Sequence, residues 1–273
     1  MSFPTTTIGG HAISRLVCGS NSFLGFSHFS GARDAWLRRH FTVERMVEVM
    51  AKCSEHGINA IVSPVDQKIH DAIAQHDRAT GRHMIWISTT YGSPEFPQQM
   101  KEVEQLGEWG AEICLIHCGY TDTHLRTADA TVLGMDQLLA RIRQVGMIPG
   151  VSSHRPETIP TCDRAGYDAE VYIMPLNVIG FLSNLETNWV ARLIQQTPRP
   201  VVSIKPLGAG RIMPREGLTY VYHSIKPTDT VAIGLLSTEE ADEDIRIARG
   251  ILTGLEAGVE LLHTPSKSTV AGS

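Results

Sequence analysis

Short apolar runs alternate with amphipathic segments along most of the chain. Between the runs, apolar residues recur three or four positions apart, as in helices that bury one face, most clearly over residues 43–56 and 135–144. The runs that read as buried strands are RLVCG, NAIVS, MIWIST, EICLIH, GVSS, VYIMP, VVSIKP and VAIG. Glycines stand just before several of these runs, where helices commonly end. Eight strand–helix repeats within 273 residues predict one (β/α)8 TIM barrel.

The two ends of the chain depart from this repeating pattern. TTTI and AISRL flank Gly9 and Gly10, which predicts a β-hairpin that plugs the end of the barrel where the strands begin. Residues 1–253 are assigned to a single barrel domain and residues 254–273 to a C-terminal tail. A doubly wound open sheet is the alternative architecture, but no strand is followed by the GxGxxG motif that would favour it.

Composition narrows the class of protein. Hydrophobic residues make up 42% of the chain, which is enough for a large core, and five cysteines without a CxxC pair do not suggest a disulfide framework. The formal charge is -5 and the basic residues are scattered, so nucleic acid is not an expected partner. No apolar run approaches the roughly 20 residues that cross a bilayer, and the first residues lack the pattern of a signal peptide. We expect a cytoplasmic protein without a membrane partner.

Active sites of (β/α)8 barrels form at the carboxyl ends of the strands. Three residues at these ends are candidate catalytic groups: His117 and His154, predicted on neighbouring strands about 4.8 Å apart, and Lys205. Together they could transfer protons or bind an anion, and the two histidines could hold a divalent metal such as Zn, Mn or Fe. Alternatively, each is a polar residue of a wet rim, bonded to a neighbouring carbonyl.

A segment of about twenty residues separates the first two predicted strands, where such connections usually have about two to six. Its aromatic and polar residues predict a lid over the barrel, with His28 and Arg33 contacting a small-molecule substrate. Asp66 and Asn177, which follow the second and sixth strands, are further candidate substrate-binding residues. In the alternative interpretation, the aromatic residues only cover the barrel and the polar residues face solvent.

Several motifs resemble those of the aldo-keto reductases, in the same order along the chain. GINAIVSP is similar to the family's GINFFDTA, ICLIH to its DLYLIH strand, and GMIPGVSSH to its GKIRAIGVSN. IKPLGAGRI resembles the seventh-strand PLGGG element, and VAIGLLSTEEADEDI resembles the closing strand with its cofactor loop. The resemblance runs from Ile8 to about Leu252 and implies the barrel, the opening hairpin and a place in an oxidoreductase superfamily.

The catalytic set that the resemblance implies is not complete in this chain. Aldo-keto reductases use an Asp, a Tyr, a Lys and a His around the carbonyl group that is reduced. The first three positions fall on Val62, Gln67 and Thr90, and only the histidine, His117, is retained. Glutamine has no titrating proton to give a developing alkoxide, and threonine carries no charge that lowers a neighbour's pKa. We therefore predict a divergent member that lacks standard NADPH-dependent aldehyde reduction.

The cofactor segment is altered as well. The resemblance implies that Gly208 and Gly210 approach a pyrophosphate. Where NADPH-binding members offer basic residues to the 2′-phosphate, however, this chain has an acidic cluster: Glu239, Glu240, Asp242, Glu243 and Asp244. These carboxylates argue against NADPH, and they leave NADH or a divalent metal open. They also have a simpler explanation, because carboxylates stabilise a helix N-terminus through the macrodipole.

Three functions follow from these observations. The first is a divergent enzyme that acts on a small polar substrate, with sugar-like compounds among the candidates, by acid–base or metal-assisted chemistry at the barrel mouth. The second is an NAD(H)-linked oxidoreductase with a rebuilt catalytic set. The third is a catalytically silent ligand-binding or partner protein. Binding of NADH, NADPH or a divalent metal would distinguish them, because a ligand of the native state raises its stability.

Overall fold

The structure, a computed structural model, describes residues 2–259. The strands are β1 (Thr5–Ile8), β2 (His11–Ser14), β3 (Leu16–Gly19), β4 (Ala60–Pro64), β5 (Ile85–Thr89), β6 (Ile113–Ile116), β7 (Leu125–Arg126), β8 (Thr131–Val132), β9 (Ile148–Ser152), β10 (Val171–Pro175), β11 (Val201–Ile204) and β12 (Thr230–Gly234). The helices are α1 (Gly31–His40), α2 (Val43–Glu55), α3 (Gln67–Thr80), α4 (Phe96–Glu108), α5 (Cys118–His124), α6 (Met135–Gln144), α7 (Thr158–Ala165), α8 (Thr187–Gln196), α9 (Pro214–Ser224) and α10 (Thr238–Thr253).

Eight parallel strands close into a barrel, which confirms the predicted fold class. Around the barrel the order is β3, β4, β5, β6, β9, β10, β11 and β12, and β12 pairs with β3 to complete the circle. Sequential neighbours pair directly, apart from the small β7–β8 hairpin that intervenes between β6 and β9. The carboxyl ends of the barrel strands therefore meet at one mouth, as the fold requires.

The opening hairpin, β1 paired with β2, closes the opposite end of the barrel. Ile8 and Ile13 are fully buried and pack with interior barrel residues such as Val17 and Ile113. The turn at Gly9 has a φ of +56° and lies so close to Ile148 that a Cβ would come within 2.5 Å of that side chain. Only glycine satisfies both conditions. The predicted plug is confirmed.

The amphipathic helices cover the outside of the barrel as predicted. The segment at residues 43–56 forms α2, whose Met46 and Met50 are fully buried against the barrel, and residues 135–144 form α6. The glycines that precede strands have positive φ, as at Gly57 (+87°) and Gly166 (+69°), where the preceding helices end. Within residues 2–259, no helix is long and apolar enough to span a membrane.

The segment between the first two barrel strands is not the continuous lid loop that the sequence predicted. Residues 31–40 form α1, and residues 20–30 and 41–42 are irregular. Ser30 caps this helix by accepting the backbone N–H of Arg33, and Leu37 is its one buried residue. The helix lacks the apolar stripe that reveals a helix in sequence, so the segment appeared to be loop. Of the predicted tail, residues 260–273 lie outside the described residues.

Candidate active site at the barrel mouth

His117 directly follows β6 and is fixed by hydrogen bonds on both sides. Its backbone N–H donates to Thr90 Oγ1 at 2.9 Å, and its ring Nδ1 accepts the backbone N–H of Gly119 at 3.0 Å. Because Nδ1 is an acceptor here, the neutral ring carries its proton on Nε2. Burial, and after it the charge of Lys205, lowers the pKa of His117 to about 4.

Lys205 directly follows β11 and has an unusual backbone. Its φ is +62°, in the left-handed region, which costs a non-glycine residue about 1 kcal/mol or more. Among the described residues, no hydrogen bond and no carboxylate raises the pKa of its amine; the one neighbouring group that does so is the side chain of Cys118. Burial lowers the pKa of Lys205 to about 8. A strained backbone therefore presents a partly desolvated amine without a carboxylate partner at the mouth.

His154 follows the carboxyl end of β9 and completes a group around this amine. Burial lowers the pKa of His154 to about 3, with smaller contributions from the charges of Lys205, His117 and His28. Partial desolvation also lowers the pKa of His28, although its side chain is exposed, and the charge of Lys205 lowers it further. We call His28, His117, His154 and Lys205 the mouth cluster, because the charge of Lys205 acts on all three imidazoles. The structure thus brings the three predicted catalytic residues to one mouth.

The other predicted substrate-binding residue of the first connection, Arg33, lies at the rim. It is exposed, and its guanidinium lies 4.3 Å from the centre of the Phe29 ring. Its charge acts on the carboxyl group of Glu240 in the closing helix, whereas His28 faces Phe181 across the mouth at 6.4 Å between ring centres. Arg33 therefore lies near the start of α10. Substrate binding by Arg33 stays a prediction.

Asp66 and Asn177 have structural roles in the loops that follow their strands. The Asp66 carboxylate caps α3 by accepting the backbone N–H of Lys68 at 2.8 Å. Asn177 is buried; its amide donates to the carbonyl of Phe181 at 3.0 Å and accepts the Phe181 N–H at 2.7 Å. These bonds use the polar groups that we assigned to substrate, so the side chains shape loops, and substrate contact by either stays a prediction.

Three residues at the mouth were missed by sequence reasoning. Cys118 and Asp122 lie four positions apart on α5, so they share a face of the helix that begins just after His117. That spacing is a signal that the sequence contained. Arg211 bridges three connections: it donates to the carbonyls of Gly208 and His28, and its guanidinium lies 4.5 Å from the centre of the Phe181 ring. No local pattern indicated Arg211, because its partners are distant in sequence.

The positions equivalent to the missing catalytic residues have other environments. Val62 packs in the barrel interior, and Gln67 is exposed, where its amide donates to Asp71 at 2.9 Å. Thr90 is buried, with its hydroxyl bonded to Gln99 while it accepts the His117 N–H. Thr90 thus holds the backbone of His117, and none of the three side chains has a titrating proton.

The segment after β11 is the candidate cofactor loop. Gly208, Ala209 and Gly210 all have positive φ, at +53°, +59° and +81°. A Cβ at Gly208 would lie 3.1 Å from Ile179, so packing within the protein explains this glycine, whereas a Cβ at Gly210 would meet nothing within 4 Å. Only Gly210 thus offers open backbone to a ligand.

The start of α10 carries negative charge. Ser237 caps the helix, and the first turn carries Glu239 and Glu240. Farther along, burial and the neighbouring carboxylates raise the pKa of Asp244 to about 7. Additional negative charge would be repelled here. The basic residues in the adjacent groove are already paired, Lys52 with Glu55 and Arg246 with Asp242.

Two open surface grooves lie away from the mouth. One, of about 570 Å³, runs between α2 and the start of α10, and the other, of about 640 Å³, between α9 and residues 254–259. Neither is lined by a residue of the mouth cluster. The two grooves are therefore separate from the mouth, where the residues with shifted pKa values lie.

The buried histidines predict an acid-sensitive fold. Because the folded-state pKa values of His117 and His154 are about 4 and 3, the unfolded chain takes up protons below about pH 6.5 that the folded chain does not. Each histidine should reduce the free energy of unfolding by about 1.4 kcal/mol per pH unit between pH 6.5 and 4. Urea unfolding across this range measures the slope.

The matched variant is His154→Gln, whose slope below pH 6.5 should be shallower than that of the original chain. Above pH 7 the imidazole is neutral in both states, so the two curves should run parallel there. Equal slopes below pH 6.5 would show that His154 is not desolvated.

Comparisons with known proteins identify the fold. No family model and no curated protein matches the chain. A putative aldo-keto reductase from Pseudomonas aeruginosa aligns over 92% of this chain and 98% of its own, with 15% identity and a TM-score of 0.65. An aldo/keto reductase from Klebsiella pneumoniae, solved with NADP and acetate, aligns over 94% and 92%, with 16% identity and a TM-score of 0.56. A putative 2,5-diketo-D-gluconic acid reductase B aligns over 96% and 95%, with 10% identity and a TM-score of 0.58. This chain has the fold of the aldo-keto reductases.

Proposed function

We propose that this chain is a divergent barrel enzyme that acts on a small, oxygen-rich carbonyl or hydroxyl compound by acid–base chemistry at the barrel mouth. The observation that supports it is Lys205. An amine without a carboxylate partner, desolvated and beside neutral imidazoles, costs stability and is retained where it acts on a ligand. Strain at its φ of +62° adds to that cost.

The amine and the imidazoles at the mouth would have different roles in the reaction. The Lys205 ammonium is suited to bind and polarise an oxygen that gains negative charge, and its attraction is strong in a site that excludes water. His117 has Nδ1 occupied by Gly119, so its Nε2–H is the ring donor that a substrate would meet. His154 is neutral at pH 7, and its pKa of about 3 makes it a weak base, so it serves as a hydrogen-bond partner, whereas the Lys205 amine, with a pKa of about 8, can take up and release a proton near neutral pH.

The class of substrate is inferred from charge and from the fold relatives. One relative was solved with acetate and another is described as a reductase of a diketo sugar acid. Oxygen-rich acids of this kind match a mouth whose one ammonium lacks a protein counter-ion. The carboxylates at the start of α10 would repel the 2′-phosphate of NADPH, so we propose acid–base chemistry that uses no nicotinamide.

The test is a substrate screen that does not require the product to be known. The purified chain is incubated in D2O with keto acids, hydroxy acids, aldoses and ketoses, and proton NMR follows deuterium incorporation or new signals. Acid–base chemistry predicts exchange or turnover of at least one compound without added cofactor. Lys205→Met is run beside it, and Lys52→Met, which changes a lysine of the distant groove, serves as the matched control.

The alternatives give different results in the same screen. Conversion that occurs only when NADH is added would indicate the rebuilt oxidoreductase and contradict the proposal. Compounds that bind, as judged by a higher melting temperature, but show neither exchange nor turnover would indicate a ligand-binding protein. Conversion by Lys205→Met at the original rate would contradict the role given to the amine.

The rim residues give a further prediction for any ligand found. His28→Ala and Arg33→Ala should each weaken binding, because His28 belongs to the mouth cluster and Arg33 offers a forked donor at the rim. Both side chains are exposed, so the melting temperature should change little. Calorimetric titration and thermal unfolding measure the two effects. If Arg33→Ala sharply lowered the melting temperature and left ligand affinity intact, the role of Arg33 would be to stabilise the loop through its contact with Phe29.

A further inference from the structure

A second set of reactive side chains lies at the same mouth. Cys118 and Asp122 belong to α5, and His154 follows β9. One potential ligand atom from each lies within 4.8 Å of those of the other two. In the portion of the chain that the structure describes, no other group of three or more His, Cys, Asp or Glu residues is gathered this closely. All three are half-buried, so an ion from solvent can reach them.

The carboxylate of this set is held in place by neighbouring groups. Asp122 accepts the hydroxyl of Ser153 and, at 3.1 Å from Oδ2, the backbone N–H of His154. A carboxylate has about four lone-pair sites, so these bonds orient Asp122 and leave capacity for a further partner. Outer hydrogen bonds of this kind fix the ligands of metal sites. The contact also ties α5 to the strand end that carries His154.

Cys118 is not arranged as a nucleophile. Its Sγ lies 3.6 Å from Nδ1 and 3.7 Å from Nε2 of His117. Since the two distances are nearly equal, the sulfur lies beside the ring and is not aligned with the N–H axis of either nitrogen. Nδ1 is in any case occupied by the N–H of Gly119. Burial raises the pKa of Cys118 to about 11, so the free group is a thiol. A thiol of this type becomes an anion when a metal replaces its proton.

We propose that Cys118, Asp122 and His154 bind a divalent transition metal, with Zn²⁺ as the best match, and leave a fourth position open at the mouth. Thiolate, imidazole and carboxylate are the three ligand types that Zn²⁺ takes in proteins, and three protein ligands with an open position characterise catalytic sites. Two anionic ligands balance the charge of the ion, so Lys205 faces a neutral centre. The sequence predicted a metal held by His117 and His154; in the arrangement proposed here, Cys118 and Asp122 take the place of His117.

The test uses Co²⁺, whose spectrum reports its ligands. The full chain is stripped of metal, kept reduced and titrated with Co²⁺. The expected result is one ion per chain, with intense visible bands typical of four coordination, a thiolate-to-cobalt band in the near ultraviolet, and loss of both on adding Zn²⁺. Cys118→Ser should abolish the thiolate band, and Asp122→Asn and His154→Gln should each weaken binding at least about 10- to 100-fold.

Two controls separate this site from others. His83→Ala removes an exposed histidine that lies between Asp77 and Glu112 before β5, at the opposite end of the barrel, and should leave the spectrum unchanged. Lys205→Met should also bind Co²⁺, because the amine is not a ligand. A titration without the thiolate band, or one that Cys118→Ser does not alter, overturns the metal site.

Metal binding shares the mouth with the proposed function but is measured without substrate. Co²⁺ binding that depends on Cys118, with no turnover of any compound, supports the metal site and contradicts the acid–base enzyme. Turnover by a chain that binds no Co²⁺ supports the acid–base enzyme and contradicts the metal site. The two proposals therefore fail separately.

Discussion

Lys205→Met should make the protein more stable and remove its activity. The ammonium is desolvated without a partner, so replacing it with an apolar side chain of similar length should raise the free energy of unfolding at pH 7 by up to about 3 kcal/mol. Turnover of a substrate found in the screen should fall about 10²- to 10⁴-fold, because proton transfer or polarisation by the amine is lost. Chemical denaturation and initial rates measure the two effects.

The gain in stability should depend on pH in a defined direction. The folded-state pKa of Lys205 is about 8 and its ordinary pKa is 10.5, so the penalty is complete below pH 8 and disappears as pH rises through 10.5. The unfolding curves of variant and original chain should converge over this interval. A variant that is less stable at pH 7, with turnover intact, would contradict the assignment.

Lys226→Met is the control of opposite sign. The Lys226 amine donates to the carbonyl of Ile194 at 2.6 Å and lies 2.9 Å from a carboxylate oxygen of Asp229, whose side chain is fully buried. Removing this lysine leaves a buried charge unpaired, which should cost about 3–5 kcal/mol. The two lysines should thus give opposite changes, because only Lys226 has a carboxylate partner.

Gly150→Val should be among the most destabilising single changes in the barrel. Gly150 lies in β9, and a Cβ there would come within 2.7 Å of Leu115 Cγ, of Val171 Cγ1 and of the backbone oxygen of Val171. The backbone oxygen cannot move without breaking the β9–β10 pairing. We expect a loss of about 3 kcal/mol or more, equivalent to a melting temperature lower by roughly 6–12 °C.

Gly31→Ala is the matched control for this change. Gly31 opens α1, and a Cβ there would meet nothing within 4 Å. Thermal unfolding should show little change or a small gain, since alanine loses less conformational entropy in a helix. If Gly150→Val melted like Gly31→Ala, the close packing of β9 between its neighbours would be refuted.

Much of the fold could be predicted from sequence because its signals are local. The apolar runs became barrel strands, and glycines such as Gly57 and Gly166 ended helices through their positive φ. The hairpin was indicated by two adjacent glycines, one of which lies against Ile148. The helix α1 was missed for the converse reason: it buries Leu37 alone, so it presents no periodic apolar face.

The site was less predictable because side-chain roles depend on partners distant in sequence. The fold rule placed His117, His154 and Lys205 at one mouth, since strand ends converge there. It could not show that Asp66 caps a helix or that Asn177 closes its own loop, because those bonds depend on loop geometry. Arg211 was missed because its contacts with His28 and Phe181 exist only once three connections meet.

The most direct test of the central claim is the titration of the Lys205 amine itself. The chain is labelled with ¹⁵N-lysine, and the side-chain signal of Lys205, assigned by its loss in Lys205→Met, is followed against pH. An unpaired, desolvated amine at the barrel mouth predicts a midpoint near pH 8, and a shift of that midpoint when a substrate from the screen binds. A midpoint near 10.5, unaffected by any such compound, would show that Lys205 is an ordinary solvated lysine and would contradict the proposed active site.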